Sequence, residues 1–175
     1  ITLVMAMAVR RTLNRYSGKC MIKWPNDIVI DGKKVCGILT EMGTCDDGWF
    51  IVCGTGINVN QDSFPENIEN VATSLYLQTG TCYKREEIIG SIMRDLEWYY
   101  SQFIKAGDMS LLKGEYTDHL INLGRRVALV RNDGTDEGTA EGIDDEGCLI
   151  VRYDDGRAEA VRSGEVSVRG VLGYV

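Results

Sequence analysis

The chain has 175 residues, a formal net charge of −7 and 44% hydrophobic side chains, enough for one to one-and-a-half ordinary domains with a real core. The acidic balance argues against a general nucleic-acid or anionic-membrane surface, yet leaves room for an anionic ligand in a pocket that one lysine dominates. Six cysteines (Cys20, Cys36, Cys45, Cys53, Cys82 and Cys148) form no C-x-x-C pair, and with His119 as the single histidine they give no ordinary zinc set.

Those cysteines read as buried, reduced thiols of a cytoplasmic protein. The apolar opening, Ile1 to Val9, is too short to span a bilayer and runs into Arg10-Arg11 at once, so no membrane segment is expected. It also lacks the basic start and cleavage pattern of a signal peptide. The chain opens on Ile1 and reads as the later part of something longer.

Thr2 to Tyr16 has the pattern of a helix capped by Thr2 and ended by Gly18, with Val9, Leu13 and Tyr16 on one face and Arg10, Arg11, Asn14 and Arg15 on the other. Cys20 to Lys23 is a short strand. Pro25 has no N–H to give a ladder, so the strand breaks there, and Asn26 and Asp27 follow the break with side chains free to enter a pocket.

Asp31-Gly32 between two apolar runs is a strong hairpin signal. A two-residue turn there sets Val29 opposite Lys34 and Asp27 opposite Cys36. Alternation then puts Asp27, Val29, Lys34, Cys36 and Ile38 on one face, and Ile28, Ile30, Val35 and Leu39 on a core face. The carboxylate of Asp27 and the ammonium of Lys34 would be diagonal neighbours, roughly 5–8 Å apart at Cβ. Taken alone, the same residues also fit a solvated turn lysine and an aspartate that ends a strand.

A turn at Cys45-Asp46-Asp47-Gly48 leads into the strand Trp49 to Gly54, which completes an antiparallel meander. Asn58 to Asn70 is a polar loop, and Val71 to Gln78 a short helix ended by Gly80. Lys84 to Lys105 is the longest helix. Its stripe of Ile88, Ile89, Ile92, Met93, Leu96, Tyr99, Tyr100 and Phe103 reads as core contact. Ser110 to Asn122 is a further short helical segment. From Gly124 the character changes to five short strands, at Arg126–Val130, Gly138–Ile143, Cys148–Tyr153, Ala158–Arg162 and Glu165–Arg169. Asp- and Gly-rich turns separate them, including Asn132-Asp133-Gly134, and the spacing suggests a small barrel. The fold class is therefore α+β, a mainly antiparallel sheet packed against helices over residues 1–123, followed by a small β-barrel over 124–175.

Three segments together, Lys23-Trp24-Pro25-Asn26-Asp27, Lys34-Val35-Cys36-Gly37-Ile38-Leu39 and Gly54-Thr55-Gly56-Ile57-Asn58, resemble the catalytic domain of biotin protein ligases. The terminal strands are similar to the SH3-like domain which that family carries after it. The resemblance implies a class II synthetase-like fold that joins biotin to a lysine of a biotin carboxyl carrier protein through biotinoyl-adenylate, using ATP with Mg2+. It implies Lys34 as the cation on the biotin carboxylate and the α-phosphate. Asp27 would be its catalytic partner, orienting Lys34, positioning magnesium or deprotonating the carrier lysine. Asn26, Asn58 and Lys23 would contact the nucleotide, and Lys34, Gly37, Ile38, Gly54 and Gly56 would line the biotin site. As lone asparagines near turns, Asn26 and Asn58 equally suit Asx-turn chemistry. Lipoate or octanoate chemistry on the same fold, and a non-catalytic partner-binding module, are the alternatives.

The resemblance covers residues 1 to about 170 but only the later half of the family's catalytic domain. No Arg-Gly run matches the family's adenylate-covering loop, so activity of this chain by itself stays open. Family members often dimerise by edge-strand pairing. DNA is a partner only if a longer parent chain carries a helix-turn-helix. Gly54-x-Gly56 is not a dinucleotide-binding loop, because Val59 stands where the third glycine belongs and a polar loop follows.

Overall fold

The chain's almost unbroken apolar start forms helix α1 (Thr2–Ser17), in which Leu3 to Arg10, Thr12 and Leu13 are buried. The computed structural model describes residues 1–46, 48–131, 134–164 and 167–170. The helix ends where expected, at Gly18, whose N–H returns to the Asn14 carbonyl. Thr2 does not cap it. Its hydroxyl instead donates to Thr40 Oγ1 at 2.8 Å and pins the helix to the sheet.

That sheet is a meander of β1 (Cys20–Lys23), β2 (Asp27–Ile30), β3 (Lys33–Cys45) and β4 (Gly48–Ile57), paired in the order β1-β2-β3-β4. Asp31 and Gly32 both have positive φ, 49° and 77°, as a type I′ turn requires to match strand twist. The face under α1 carries Cys20, Ile22, Ile28, Ile30, Cys36 and Ile38, each no more than 2% exposed. The outer edge of β1 is met by the parallel bridge between Ile22 and Leu120.

Helix α2 (Leu75–Thr79) starts where the Ser74 hydroxyl accepts the Leu77 N–H, later than the sequence suggested. Helix α3 (Arg85–Ala106) packs on α1 through a narrower stripe than expected. Ile88, Ile92 and Tyr99 are buried, but Ile89, Met93 and Tyr100 are 59%, 56% and 45% exposed. One neighbouring helix covers only one side of α3, and part of that side is polar. There Asp95 accepts from the Thr12 hydroxyl at 2.6 Å and from Arg15 at 2.7 Å, all on the α1–α3 seam. Arg10, placed on the polar side by periodicity, is instead 8% exposed, with its guanidinium 3.4 Å from Glu115. Helix α4 (Lys113–Asp118) is shorter than the segment expected there.

The terminal strands are β5 (Arg126–Arg131), β6 (Gly134–Ile143), β7 (Leu149–Arg152), β8 (Ala158–Val161) and β9 (Ser167–Gly170), all antiparallel in the order β8-β7-β6-β5-β9. Their number and pairing suit the SH3-like expectation. Among the described residues no β8–β9 ladder closes a barrel, since each end strand spans four residues and pairs on one side. Asp47, Asn132, Asp133 and Glu165, named above in turns and a strand, lie outside the described residues. The cysteines are all free. Cys20, Cys36 and Cys148 are buried as expected, whereas Cys45 at the end of β3 and Cys82 in a loop are exposed.

Replacing Asp95 by Ala leaves the buried Thr12 hydroxyl without its acceptor and Arg15 without its carboxylate. We expect a loss of about 2 kcal/mol, measured by urea unfolding. Burial pushes the Cys36 thiol up to about 12 and Cys20 up to about 11. In the folded protein at pH 8 a thiol reagent should therefore label Cys45 and Cys82 promptly, and Cys20 and Cys36 only after unfolding.

Candidate active site

The three-residue loop Trp24-Pro25-Asn26 joins β1 to β2, closed by the pair Lys23 and Asp27. The Trp24–Pro25 peptide is cis. Across the sheet the same row continues from Asp27 to Gly37 on β3 and to Gly56 on β4. One face thus presents an ammonium, a carboxylate and two positions without side chains. The expected pairing of Asp27 with Cys36 is corrected by one residue. The ladder runs Ile30 to Lys33 and Val29 to Lys34, then shifts so that Ile28 meets Cys36. Val35 is the extra residue of a β-bulge.

The bulge has a visible cause. Lys34 N–H donates to the Val71 carbonyl at 2.7 Å, and the Lys34 carbonyl accepts from Thr73 N–H at 2.8 Å. The segment 71–73 takes the outer edge of β3 where β4 does not reach, and turns the Lys34 backbone away from β2. Downstream of the bulge the alternation is inverted. Cys36 and Ile38 therefore face α1, while Leu39, expected in the core, is 63% exposed on the other face. Ile38 is corrected accordingly. Its side chain is buried on the helix-covered face, and its N–H and carbonyl are taken by the Asn26 carbonyl and the Asn26 side-chain amide, each at 2.9 Å.

Lys34 and Asp27 do meet, with Nζ 2.5 Å from Asp27 Oδ1. The Asp27 side chain is 11% exposed and that of Lys34 40%. The ammonium lies over Gly37, where an added Cβ would stand 2.9 Å from both Cε and Nζ of Lys34 and 3.6 Å from Asp27 Oδ1. Gly37 is therefore explained by the space its missing side chain leaves for the lysine head. Burial lowers the pKa of Lys23; the Asp27 carboxylate opposes that shift, while the Lys34 ammonium and the Arg169 guanidinium add to it. Arg169 comes from β9 and was not singled out in the sequence, where nothing ties a terminal strand to this loop.

A cleft of about 460 Å³ opens beside the pair, lined by Lys34, Gly37, Gly56, Asn58, Phe64 and Ile68 among others. Phe64 and Ile68 were passed over as parts of a polar loop. Two apolar residues inside a polar stretch were the available signal. Gly54 is exposed on β4 and pairs with Leu39. The amides of both asparagines are engaged by backbone, Asn26 as above and Asn58 through the Thr73 carbonyl at 3.1 Å. Asn58 thereby ties the end of β4 to the segment that holds Lys34. Among the described residues, no group of three His, Cys, Asp or Glu side chains could hold a metal ion. The arrangement can place a positive charge, oriented by a carboxylate, over bare backbone at the mouth of a half-apolar cleft. That suits an anionic group carried on an apolar body.

Residues 1–58 match the Biotin/lipoate A/B protein ligase family, and residues 123–169 match the Biotin protein ligase C terminal domain. The chain is 37% identical over 160 residues to the bifunctional ligase/repressor BirA of Bacillus spizizenii, covering 89% of this chain and 49% of that protein. It is 35% identical over 146 residues to the biotin–[acetyl-CoA-carboxylase] ligase of Mycobacterium tuberculosis, covering 83% of this chain and 52% of that protein. The biotin protein ligase of Aquifex aeolicus superposes in its apo form with a TM-score of 0.86 at 30% identity, covering 97% of this chain and 74% of that one. Its complex with biotin and ATP superposes with a TM-score of 0.84. The chain spans about half the length of the curated relatives it matches.

Gly37→Ala should push the Lys34 ammonium off its seat with little effect on folding, because a flexible side-chain end is what must yield. The expected outcome is a midpoint of thermal unfolding within a few degrees of the parent and an affinity for inorganic pyrophosphate about tenfold weaker by calorimetry, equivalent to ~1.4 kcal/mol.

Proposed function

The chain belongs to the biotin protein ligase family, and from that premise we propose that it carries the nucleotide floor and the reacting cation of an ATP-dependent ligase. That enzyme would join biotin to a lysine of a biotin carboxyl carrier protein. The observation that carries the reading is the Lys34–Asp27 pair over Gly37 at the mouth of the cleft.

In the first step a biotin carboxylate oxygen attacks the α-phosphorus of ATP. The bond to the bridging oxygen of the β-phosphate breaks, and pyrophosphate leaves with that electron pair. In the second, the neutral amine of the carrier lysine attacks the acyl carbonyl. The acyl–oxygen bond breaks, AMP leaves, and the amine's proton is lost to the site. Both steps gather negative charge on oxygen next to one point. A preplaced ammonium stabilises that charge without reorganising water, and removing one such donor typically costs about 2.7–4 kcal/mol. Lys34 fills this role. Asp27 holds it by direct contact, which favours the orienting task over the two others considered for this carboxylate.

Lys23 and, through their remaining polar atoms, Asn26 and Asn58 are proposed to face the nucleotide. Gly37, Gly54 and Gly56 are proposed to let biotin approach backbone. Ile38 is left out of that wall because it is buried on the far side. Magnesium is proposed to arrive with ATP, and no residue here is assigned to it. Residues 1–123 would form the catalytic unit and 124–175 the SH3-like one. The match of 123–169 to a biotin protein ligase terminal domain favours biotin over lipoate or octanoate as the acid.

The open edge of β4, with Trp49 73% and Ile51 50% exposed, suits strand pairing with a second copy or with the carrier domain. DNA contact is proposed only for a longer chain bearing a helix-turn-helix. The described helices include none long and apolar enough to cross a membrane, and we propose the cytoplasm as the compartment.

In a chain extended to the length of its relatives, Lys34→Ala should lower biotin-dependent pyrophosphate release by about 100- to 1000-fold while the circular dichroism spectrum is unchanged. Turnover within threefold of the parent would remove Lys34 from the chemistry. Pyrophosphate release that responds to lipoate and not to biotin would move the reading to the other acid.

A further inference from the structure

Trp24 is not among the residues that line the cleft, is 1% exposed, and has both N–H groups engaged by the later half of the chain. Its backbone N–H donates to Asn122 Oδ1 at 2.9 Å and its indole N–H to the Gly147 carbonyl at 3.0 Å. Gly147 belongs to the turn between β6 and β7, and that turn is a stiff block. Inside it, Asp144 Oδ1 accepts the N–H groups of Glu146 at 3.0 Å and Cys148 at 2.8 Å. Outside it, the Asp145 carbonyl accepts Met109 N–H at 2.7 Å, and Asp145 Oδ1 lies 2.6 Å from Lys113 Nζ. The backbone of Gly147 rests against Leu3 of α1, so closely that a Cβ there would stand 2.8 Å from Leu3 Cδ2.

On its other side the Trp24-Pro25-Asn26 loop is bolted to Ile38 by two bonds from Asn26. Three residues cannot shift at Trp24 without dragging Asn26 and Asp27, since Lys23 and Asp27 close the loop as a paired row. Much of the ring's burial would be kept by phenylalanine, at the cost of a small cavity. The directional indole bond to a turn of the C-terminal sheet is what fixes where the loop sits.

We propose that Trp24 is a positioning residue: its indole N–H, given to Gly147 in the β6–β7 turn, anchors the loop that sets Asp27 against Lys34. The C-terminal sheet thereby reaches the reacting pair through this side chain. This rests on the reading of Lys34 and Asp27 as that pair.

The test uses Trp24→Phe, which keeps a ring and deletes the N–H, in the full-length chain. Lys113→Ala loosens the same turn from its far side, and Arg162→Ala removes the surface contact to Glu146 of that turn. The expected result for Trp24→Phe is a tenfold fall in kcat for pyrophosphate release with KM for ATP within twofold. The Lys34 15Nζ resonance, assigned by its loss in Lys34→Arg, should move toward that of a solvated lysine. Lys113→Ala should lower kcat about threefold alone and not at all in the Trp24→Phe background, and Arg162→Ala should match the parent. Parent-like kcat and an unmoved resonance in Trp24→Phe overturn the proposal, as does a loss in Arg162→Ala equal to that in Trp24→Phe. Should Trp24→Phe not fold, the kcat and the Lys34 resonance of Lys113→Ala decide alone. Should the parent release no pyrophosphate with biotin and ATP, the functional reading falls, and the resonance by itself decides the positioning: a shift upholds it and none overturns it.

Discussion

One contact governs the arrangement of this molecule: an ammonium resting on a carboxylate above a backbone that carries no side chain. Lys34 shares a face with Asp27 by alternation, and the bulge at Val35 that follows sets Gly37, not Cys36, opposite the carboxylate. The break is paid for by hydrogen bonds that would otherwise be missing, because residues 71–73 accept and donate where β2 and β4 do not. Gly37 leaves the lysine head its space. Val29, 0% exposed in the row beside Asp27, shows that the pair lies at the border between core and cleft, not out on an open strand. Partial burial raises the worth of a charge contact that on a fully solvated face would contribute little.

Much of this was legible in the residues. Asp31-Gly32 gave the turn and hence the meander, and Lys34 and Asp27 were placed together from parity alone. The bulge was not legible, because its cause lies in a segment almost forty positions away that reads locally as loop. The same omission misplaced Ile38 and Leu39, which exchange faces once one residue is added to the strand. On α3 the periodicity named the apolar residues correctly but could not say that one helix alone would cover them, or that Asp95 would be drawn into the seam by Thr12 and Arg15. Arg10 failed for the opposite reason, since its long side chain is taken up by Glu115 of another helix.

The two halves of the chain contribute to one buried apolar cluster and are joined by directional bonds as well. The Asp- and Gly-rich turn at 144–147 is a separator in the sequence; in the structure its carbonyls and carboxylates are the fittings by which the later sheet is attached to Trp24, Met109 and Lys113. Acidic turns account for part of the net negative charge, and several are satisfied by neighbouring arginines, as at Arg126 with Asp154 and Arg162 with Glu146. The overall sign of the protein therefore says little about the cleft, where the Lys34 ammonium rests on the Asp27 carboxylate.

The main-chain N–H and carbonyl of Lys34 are both held, by Val71 and Thr73, whereas 40% of its side chain is open. Such a residue is a fixed pivot with a swinging head. Four methylenes let the charge travel a few ångströms while its root stays put, so in the reaction proposed above one cation would follow an anionic oxygen as it passes from a carboxylate to a phosphate ester and on to a departing nucleotide. A shorter or stiffer base fastened at the same root would serve one of those stations and miss the next.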